Sequence, residues 1–334
     1  MKTIVHTCSS VLIRPNGITR YINAVMDLQR SLGHHVIFVT DALPAQTINS
    51  DETLYISKLS GYVPHWKDGH VWLQVDPHVS YNIEMAFRKL DVEPDLVIAH
   101  DLHSYLGACE EFRDGVFIQH ESDVLTPGSR YSFLSDEYLQ KQIDVVETTD
   151  WRIGLTVHSQ HIKPHRPVYT PAPFTPVAMP TMPKTKGLLY IGDATERKGA
   201  KEFMQLARDL GVKPTVITHE PDAELFAGAD VHTFSLDQRD AMYSLMAQHQ
   251  VAYIPSKNEC PGLAAVECLQ FMPVVVDGQY EWTRYLDDIG ATRPIGGEIL
   301  PTVEGYLSTF KTHDRRLLDI WAKNSKQYWI NLSA

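Results

Sequence analysis

The sequence predicts an α/β protein made of two Rossmann-like, doubly wound domains that face each other across a cleft. Short apolar runs alternate with helix-length amphipathic segments, and one proline-rich segment interrupts the alternation. The length of 334 residues suits two domains of about 100–200 residues each. We expect an N-terminal domain over 1–165, a linker over 166–186, a C-terminal domain over 187–312, and a terminal helix over 313–334 that packs back across the domains.

The strand predictions depend on continuous runs of Val, Ile and Leu, which are typical of strands buried on both faces of a parallel sheet. The runs cover residues 3–8, 35–40, 95–100, 116–120 and 154–158, then 187–192, 214–218, 251–255 and 273–277. Between the first two runs, Ile18–Leu32 has apolar residues at helical spacing and is followed by Gly33. Ligands bind beyond the carboxyl ends of such strands, so we expect the functional site in the cleft.

The linker prediction depends on residues 163–187, which hold seven of the chain's 20 prolines. Proline fixes the backbone and donates no hydrogen bond, so this segment cannot be a helix or a central strand. We expect it to be stiff and extended, with strand and helix patterning resuming after it.

Composition excludes several classes of function. Charged residues make up 21% of the chain, and no run of about 18 apolar residues is present, so we expect a cytoplasmic protein without a membrane span. The four cysteines show no C-x-x-C spacing and are expected to be reduced thiols. A net charge of −11 argues against a general nucleic-acid binder, although a local basic groove stays possible within that average.

The turn after the strand at 187–192 is a candidate phosphate site. Residues 193–201 read DATERKGAK and lead into a helix, whose first backbone N–H groups and dipole attract anions. Arg197 and Lys198 add two full positive charges there, and arginine can bind two phosphate oxygens at once. The alternative reading is a solvated basic turn.

Two glutamates follow about sixty residues later in the segment SKNECPGLAAVECL. Glu259 and Glu267 are eight residues apart. Pro261 and Gly262 suit a turn that opens a helix, so we expect Glu259 before the helix and Glu267 about two turns along it. The first carboxylate is suited to accept hydrogen bonds from sugar hydroxyls, and the second to hold the two hydroxyls of a ribose. An ordinary surface pair of glutamates is the alternative.

Together these two elements resemble the retaining GT-B glycosyltransferases of family four, which carry an Arg-Lys turn and an E-x7-E motif. Arg197-Lys198-Gly199 matches the first element. Glu259, Gly262 and Glu267, followed by Pro273-Val274-Val275, match the second. Many relatives separate the arginine and lysine by several residues, so either Lys198 or Lys201 can be the second phosphate partner.

The first half adds to the resemblance. Asn16-Gly17 resembles the family's glycine-containing loop after strand one, although many members have Gly-Gly there. His120 resembles the family's histidine at the end of a first-domain strand, and residues 157–159 resemble the last strand of that domain. The resemblance implies that Gly17 lets the backbone approach the donor and that His120 binds the donor sugar.

The resemblance also implies the chemistry. Arg197 and Lys198 stabilise the departing diphosphate, Glu259 holds the sugar, and Gly262, Leu263 and Glu267 bind the nucleotide of a UDP-type donor. No enzyme nucleophile, cofactor or metal is expected, and no Asp-x-Asp metal motif occurs in the sequence. The leaving phosphate takes the acceptor proton on the same face of the sugar.

Three functions remain as alternatives at this point. The first loop and His120 also look similar to T-even phage enzymes that transfer glucose or a pentose such as arabinose to hydroxycytosine or hydroxymethylcytosine in double-stranded DNA. A protein of phage origin would be expected in the host cytoplasm. A glycan or lipid acceptor is the second alternative. A sugar-nucleotide binder or epimerase without transferase activity is the third. Whether His100 or Asp101 takes part in acceptor binding is left open.

Overall fold

The structure is a computed structural model that describes most of the chain. The described residues are 1–13, 17–44, 46–56, 65–67, 70–72, 75–120, 136–155, 164, 166–177, 182–219, 221–235, 238–257, 259, 262–309 and 314–334. They divide into two compact units, Met1–Phe174 with Asn324–Ala334, and Thr175–Lys323. Over this part of the chain, no helix combines the length and the apolar character needed to cross a membrane.

The first unit alternates strands and helices in chain order. Its elements are β1 (Thr3–Thr7), α1 (Gly17–Ser31), β2 (His35–Val39), β3 (Glu52–Leu54), β4 (His65–Lys67), β5 (His70–Trp72), α2 (Pro77–Phe87), β6 (Leu96–Ala99), α3 (Leu102–Cys109), β7 (Val116–Gln119), α4 (Asp136–Thr148), β8 (Arg152–Leu155) and β9 (Pro167–Tyr169). Within the described residues, seven of these strands form one parallel sheet in the order β3-β2-β1-β6-β7-β8-β9. Strands β4 and β5 form a separate antiparallel pair.

The second unit repeats this plan on a smaller scale. Its elements are β10 (Lys186–Ile191), α5 (Ala200–Asp209), β11 (Thr215–Ile217), β12 (Asp230–His232), α6 (Arg239–Met246), β13 (His249–Ile254), α7 (Leu263–Cys268), β14 (Val274–Val276), α8 (Arg284–Asp288), α9 (Ile299–Ser308) and most of the first half of α10 (Arg316–Ser333). Five described strands form a parallel sheet in the order β12-β11-β10-β13-β14.

Both sheets change direction beside their first strand. The chain moves outward from β1 through β2 to β3, then returns to the other side of β1 with β6, and β10 and β13 have the same relation in the second sheet. The loops that follow these adjacent strands diverge to opposite faces of the sheet, which leaves a crevice at the carboxyl ends where ligands bind. Ligand sites are therefore expected at the carboxyl ends of β1 and β6 in the first sheet and of β10 and β13 in the second.

The boundary between the units differs from the sequence-based boundary. Residues 167–169, inside the predicted linker, form β9 at the edge of the first sheet, and the unit boundary falls between Phe174 and Thr175. Proline is tolerated as the first residue of an edge strand, because the missing N–H is not needed by a neighbour.

The terminal helix begins at Arg316, and its last residues belong to the first unit. There Trp329 is fully buried and its indole N–H donates to the Pro171 carbonyl oxygen at 2.7 Å.

Candidate functional site

The crevice of the second sheet is lined by the two loops that follow β10 and β13. Arg197 and Lys198 lie in the first loop, and Glu259 lies in the second. A backbone hydrogen bond of 2.8 Å, from the Lys257 N–H to the Arg197 carbonyl oxygen, joins the loops. The fold therefore brings together two segments that are sixty residues apart in the sequence.

Gly199 allows the first loop to turn into α5 at this place. It is the N-cap of α5 and has a φ of 68°, in the left-handed region that favours glycine. A Cβ at this position would lie 2.4 Å from the Pro255 carbonyl oxygen, at the end of β13. Glycine thus permits both the turn and the close approach of the two loops.

Arg197, Lys198 and Glu259 form a compact ionic cluster. The Lys198 ammonium group contacts Oε1 of Glu259, and an Arg197 guanidinium nitrogen lies 3.6 Å from Oε2 of the same carboxylate. The side chains of Lys198 and Glu259 are only 17% and 13% exposed, whereas that of Arg197 is 36% exposed. One carboxylate thus faces two cations, and the arginine is the member that solvent reaches most easily.

Glu259 is held in its ionised form by these neighbours. Burial raises the pKa of the Glu259 carboxyl, but the Lys198 and Arg197 charges together outweigh burial and bring the pKa below its usual value. The cluster has a surplus of positive charge, which suits an anionic ligand.

Hydrogen bonds hold the turn that carries Arg197 and Lys198 in place. The Tyr190 hydroxyl donates to the carbonyl oxygens of Asp193 and Lys198 at 2.9 and 3.2 Å, and Lys198 N–H donates to Thr195 Oγ1 at 3.3 Å. Tyr190 is fully buried on β10. Lys201, the other candidate phosphate partner, is exposed in the first turn of α5, so the structure groups Lys198 rather than Lys201 with Arg197.

Gly262 allows the second loop to enter α7. Its φ is 66°, and a Cβ there would lie 2.6 Å from the ring of Trp282. Trp282 is buried and donates from its indole nitrogen to the Ser256 carbonyl oxygen at 2.9 Å. Leu263 is the first residue of α7, where the backbone N–H groups have no partner within the helix itself. Cys260 and Pro261 lie outside the described residues.

Glu267 is in the next turn of α7 and is 4% exposed. Its Oε1 accepts a hydrogen bond from the Tyr243 hydroxyl at 3.0 Å and one from Arg239 at 3.3 Å, both on α6. Burial, followed by the charge of Glu267, raises the pKa of Tyr243 to about 12. Tyr243 and Arg239 are the partners that sequence reasoning missed, because the motif gives no information about which helix faces α7.

In the first unit, His120 follows β7 and is 5% exposed. Its Nε2 lies 3.0 Å from Nδ1 of His100, which follows β6, and Nε2 of His100 lies 2.8 Å from Nδ1 of His6 on β1. His120 also lines a small pocket whose other walls include Leu12, Ile18 and Asp101. The sequence prediction identified His120 and considered His100, but it missed His6.

Asp101 has a structural task in this crevice. It is the N-cap of α3, where Oδ1 accepts from Ser104 N–H at 3.1 Å, while Oδ2 accepts from Ser9 N–H at 2.7 Å. These bonds occupy both of its oxygens, as expected of a helix-capping turn.

Gly17 is the first residue of α1 and is exposed. Asn16, Glu121 and residues 157–159, which complete the matches in the first half, lie outside the described residues. Among the residues that the structure does describe, no group of three His, Cys, Asp or Glu is arranged to hold a metal ion.

Two Rossmann-like units, each with a parallel sheet wound in both directions from its first strand, define the GT-B fold, and this chain has it. Solved structures agree over nearly its full length. The sucrose-phosphate synthase of Thermosynechococcus elongatus is 13% identical with a TM-score of 0.64, covering 99% of this chain and 95% of that chain.

Two further similar structures contain UDP. A variant of S. aureus TarM, in complex with fondaparinux, alpha-GlcNAc-glycerol and UDP, has 8% identity and a TM-score of 0.65 over 100% of this chain and 97% of that chain. The pneumococcal O-GlcNAc transferase GtfA, in complex with UDP and GlcNAc, has 10% identity and a TM-score of 0.64 over 99% and 98% of the two chains. No protein-family profile and no curated protein matches the sequence.

Proposed function

We propose that this protein is a retaining glycosyltransferase that takes its sugar from a UDP-type donor without a metal ion. The observation that carries the proposal is the pair of cations, Arg197 and Lys198, that contact one partly buried carboxylate at the crevice of the second sheet. Charge on the leaving diphosphate grows as the glycosidic bond breaks, so cations placed there stabilise the transition state more than the bound donor.

In the proposed mechanism, Glu259 exchanges its partners when the donor binds. The diphosphate takes over Arg197 and Lys198, and the released carboxylate of Glu259 accepts hydrogen bonds from the sugar hydroxyls. The glycosidic bond to the diphosphate breaks, and the acceptor hydroxyl oxygen bonds to the anomeric carbon on the same face of the sugar, which keeps the anomeric configuration. The proton of that hydroxyl goes to the departing phosphate oxygen. Gly17 and His120 contribute from the first unit, by close backbone approach and by a hydrogen bond to the sugar.

The proposed nucleotide contacts lie on α7. We assign the backbone N–H groups of Gly262 and Leu263 to the nucleotide and the carboxylate of Glu267 to the ribose hydroxyls. Tyr243 and Arg239 hold the Glu267 carboxylate in place through the bonds described above. Similarity to structures that contain UDP supports the choice of uracil as the base.

Steady-state kinetics of two matched variants tests the role of the cations. Arg197→Ala is expected to lower kcat by roughly 100-fold, equivalent to about 2.7 kcal/mol, with a smaller effect on donor affinity. Arg197→Lys should restore only part of the rate, because lysine cannot bind two phosphate oxygens in one plane. Lys201→Ala removes the same charge from an exposed position nearby and is the control. Near-normal turnover of Arg197→Ala would contradict the proposal.

The exchange of partners at Glu259 has a separate test. Glu259→Gln removes the carboxylate that competes with phosphate, so calorimetry should show that UDP alone binds roughly threefold to tenfold more tightly. The same variant should transfer sugar poorly, because its amide is a weaker acceptor for the hydroxyls. Weaker UDP binding would show that Glu259 does not compete with the diphosphate.

For the acceptor, we propose a hydroxylated cytosine in duplex DNA that receives glucose or a pentose. The support is the likeness of the first loop and His120 to the phage enzymes, and the net charge of −11 counts against it. Incubation with hydroxymethylated DNA and a panel of UDP-sugars should give a mass increase of one sugar per modified base. Transfer only to glycans or lipids would replace this acceptor. Donor binding without transfer or hydrolysis would favour a sugar-nucleotide binder.

A further inference from the structure

Three buried histidines in the first unit form a line of hydrogen bonds that ends on a glutamine. The line runs from Nε2 of His120 to Nδ1 of His100, then from Nε2 of His100 to Nδ1 of His6, and from Nε2 of His6 to Oε1 of Gln29 at 2.7 Å. All four residues are at most 5% exposed. The amide nitrogen of Gln29 donates to Ser333 Oγ at 3.2 Å.

The rings meet edge to edge rather than face to face. The planes of His6 and His100 differ by 14°, with centroids 5.1 Å apart, and those of His100 and His120 differ by 21°, with centroids 5.3 Å apart. Nitrogen separations of 2.8 and 3.0 Å fall short of these centroid distances by the same amount, as expected when two coplanar rings point their nitrogens at each other. The Tyr21 ring packs edge-on against the His120 ring, with 4.8 Å between the ring centroids, and fixes the orientation of the imidazole.

Burial keeps these rings neutral. It lowers the pKa of His6 and of His120 to about 4, and that of His100 well below its usual value. A neutral imidazole has one N–H and one acceptor nitrogen, and each N···N bond needs one of each. The three rings must therefore all carry the proton on the same kind of nitrogen.

Gln29 decides which nitrogen that is. Its Oε1 can only accept, so Nε2 of His6 carries the proton and Nδ1 of His6 accepts from His100. The same reasoning passes along the line and gives His120 its proton on Nε2. We propose that Gln29, His6 and His100 are positioning residues that make Nδ1 of His120 an obligate hydrogen-bond acceptor, suited to a hydroxyl group of a ligand in the adjoining pocket.

The ligand that this arrangement recognises is a hydroxyl donor, such as a sugar, and not a phosphate or carboxylate oxygen, which can only accept. Naming that hydroxyl as one on the donor sugar rests on the proposed function. The tautomer itself does not, because it is a property of the free protein. His6 lies on β1 in the sheet interior, whereas His100, directly after β6, borders the same pocket as His120.

Nitrogen NMR of the full chain with labelled histidine measures the tautomers directly. At pH 7 we expect His6, His100 and His120 each to show a protonated Nε2 and an acceptor-type Nδ1. Single histidine substitutions assign the signals. Protonated Nδ1 signals for His120 would overturn the proposal, because they would mean that the line of bonds runs in the opposite direction.

Two variants test the part played by Gln29. Gln29→Leu removes the acceptor that sets the direction, and a hydrogen bond worth about 1–1.5 kcal/mol biases a tautomer ratio by roughly tenfold. We therefore expect a protonated Nδ1 population to appear at His120, two rings away. The Gln29→Glu variant keeps an acceptor beside Nε2 of His6, so its His120 spectrum should match that of the wild type. This variant provides the test if the Gln29→Leu protein does not fold. An unchanged His120 spectrum in a folded Gln29→Leu protein, or a reversed one in Gln29→Glu, would refute the proposal.

Addition of UDP-glucose separates this inference from the proposed function. If calorimetry shows binding, the Nδ1 signal of His120 should shift in the direction of an accepted hydrogen bond. Among UDP-glucose analogues in which single sugar hydroxyls are replaced by fluorine, which cannot donate, the one that lacks the hydroxyl bound to Nδ1 should lose this shift. Binding without any change at Nδ1 would overturn the ligand assignment. Lack of binding would contradict the choice of donor, while the tautomers of the free protein would still decide the role of Gln29.

Discussion

Lowering the pH should destabilise the first unit, because its buried histidines resist protonation. The pKa of His6 and of His120 falls to about 4 by burial, which the charge of Asp101 only partly offsets at His120. The ordinary value is 6.5, so between about pH 6.5 and pH 4 the unfolded chain binds more protons than the folded chain. Stability therefore rises with pH across this window and is lost as the pH falls through it.

The size of the effect follows from the same values. A shift of one pKa unit corresponds to about 1.4 kcal/mol, and between pH 7 and pH 5 each of these histidines contributes a loss of roughly 2 kcal/mol. His6 and His120 together give about 4 kcal/mol, and His100 acts in the same direction. This is a large part of the 5–15 kcal/mol that is typical of a folded domain.

Urea unfolding followed by tryptophan fluorescence at pH 7 and pH 5 measures this loss. His6→Gln removes one of the titrating groups, so its loss between the two pH values should be smaller than that of the wild type by about 2 kcal/mol. His78 is exposed, and His78→Gln is the control that should keep the wild-type dependence. An equal pH dependence in His6→Gln and wild type would refute the reasoning, because it would mean that the buried ring does not resist protonation.

Three further predictions concern the second unit and the reaction. Glu267→Ala should weaken UDP binding by roughly 10- to 150-fold in calorimetry. Tyr243→Phe should weaken it by less, because the phenylalanine variant only loosens the Glu267 carboxylate, and unchanged affinity of Glu267→Ala would remove Glu267 from the site. Gly262→Ala should lower the free energy of unfolding by about 2 kcal/mol more than Gly211→Ala, because both glycines have positive φ but only a Cβ at Gly262 would meet Trp282. Denaturant unfolding compares the two variants, and equal losses would exclude the clash with Trp282. Transfer should survive EDTA, and an absolute requirement for Mg²⁺ or Mn²⁺ would contradict the metal-independent mechanism.

The fold could be predicted from the sequence because its central strands are continuous apolar runs. Strands β1, β2, β6 and β7 lie within the predicted segments, as do β11 and β14, whereas β10 begins one residue before its predicted segment. Helix α1 differs from its predicted range by one residue at each end. The three-residue strands β3, β9 and β12 were missed. They lie at the sheet edges, where few backbone groups need partners and polar residues such as Glu52 and Asp230 are tolerated.

The candidate site could be predicted only in part. Arg197 and Lys198 were predicted because a turn between strand and helix has a recognisable charge pattern, and Glu259 because of its spacing from Glu267. Their mutual ion pairs could not be foreseen. The line from Gln29 to His120 has no such pattern. Its members lie on α1, β1 and the ends of β6 and β7, and only the strand order β1-β6-β7 brings the three histidines side by side.

The return of the last residues to the first unit has a consequence for protein synthesis. Residues 324–334 bury Trp329 and supply Ser333 to Gln29, so a nascent chain that has reached Phe174 still lacks part of its own core. At 5–20 residues per second, the ribosome needs roughly ten to thirty seconds more to deliver that helix. The first unit therefore begins first but obtains its full core only after residues 324–334 have been made, whereas the second unit lies within one continuous stretch of the chain.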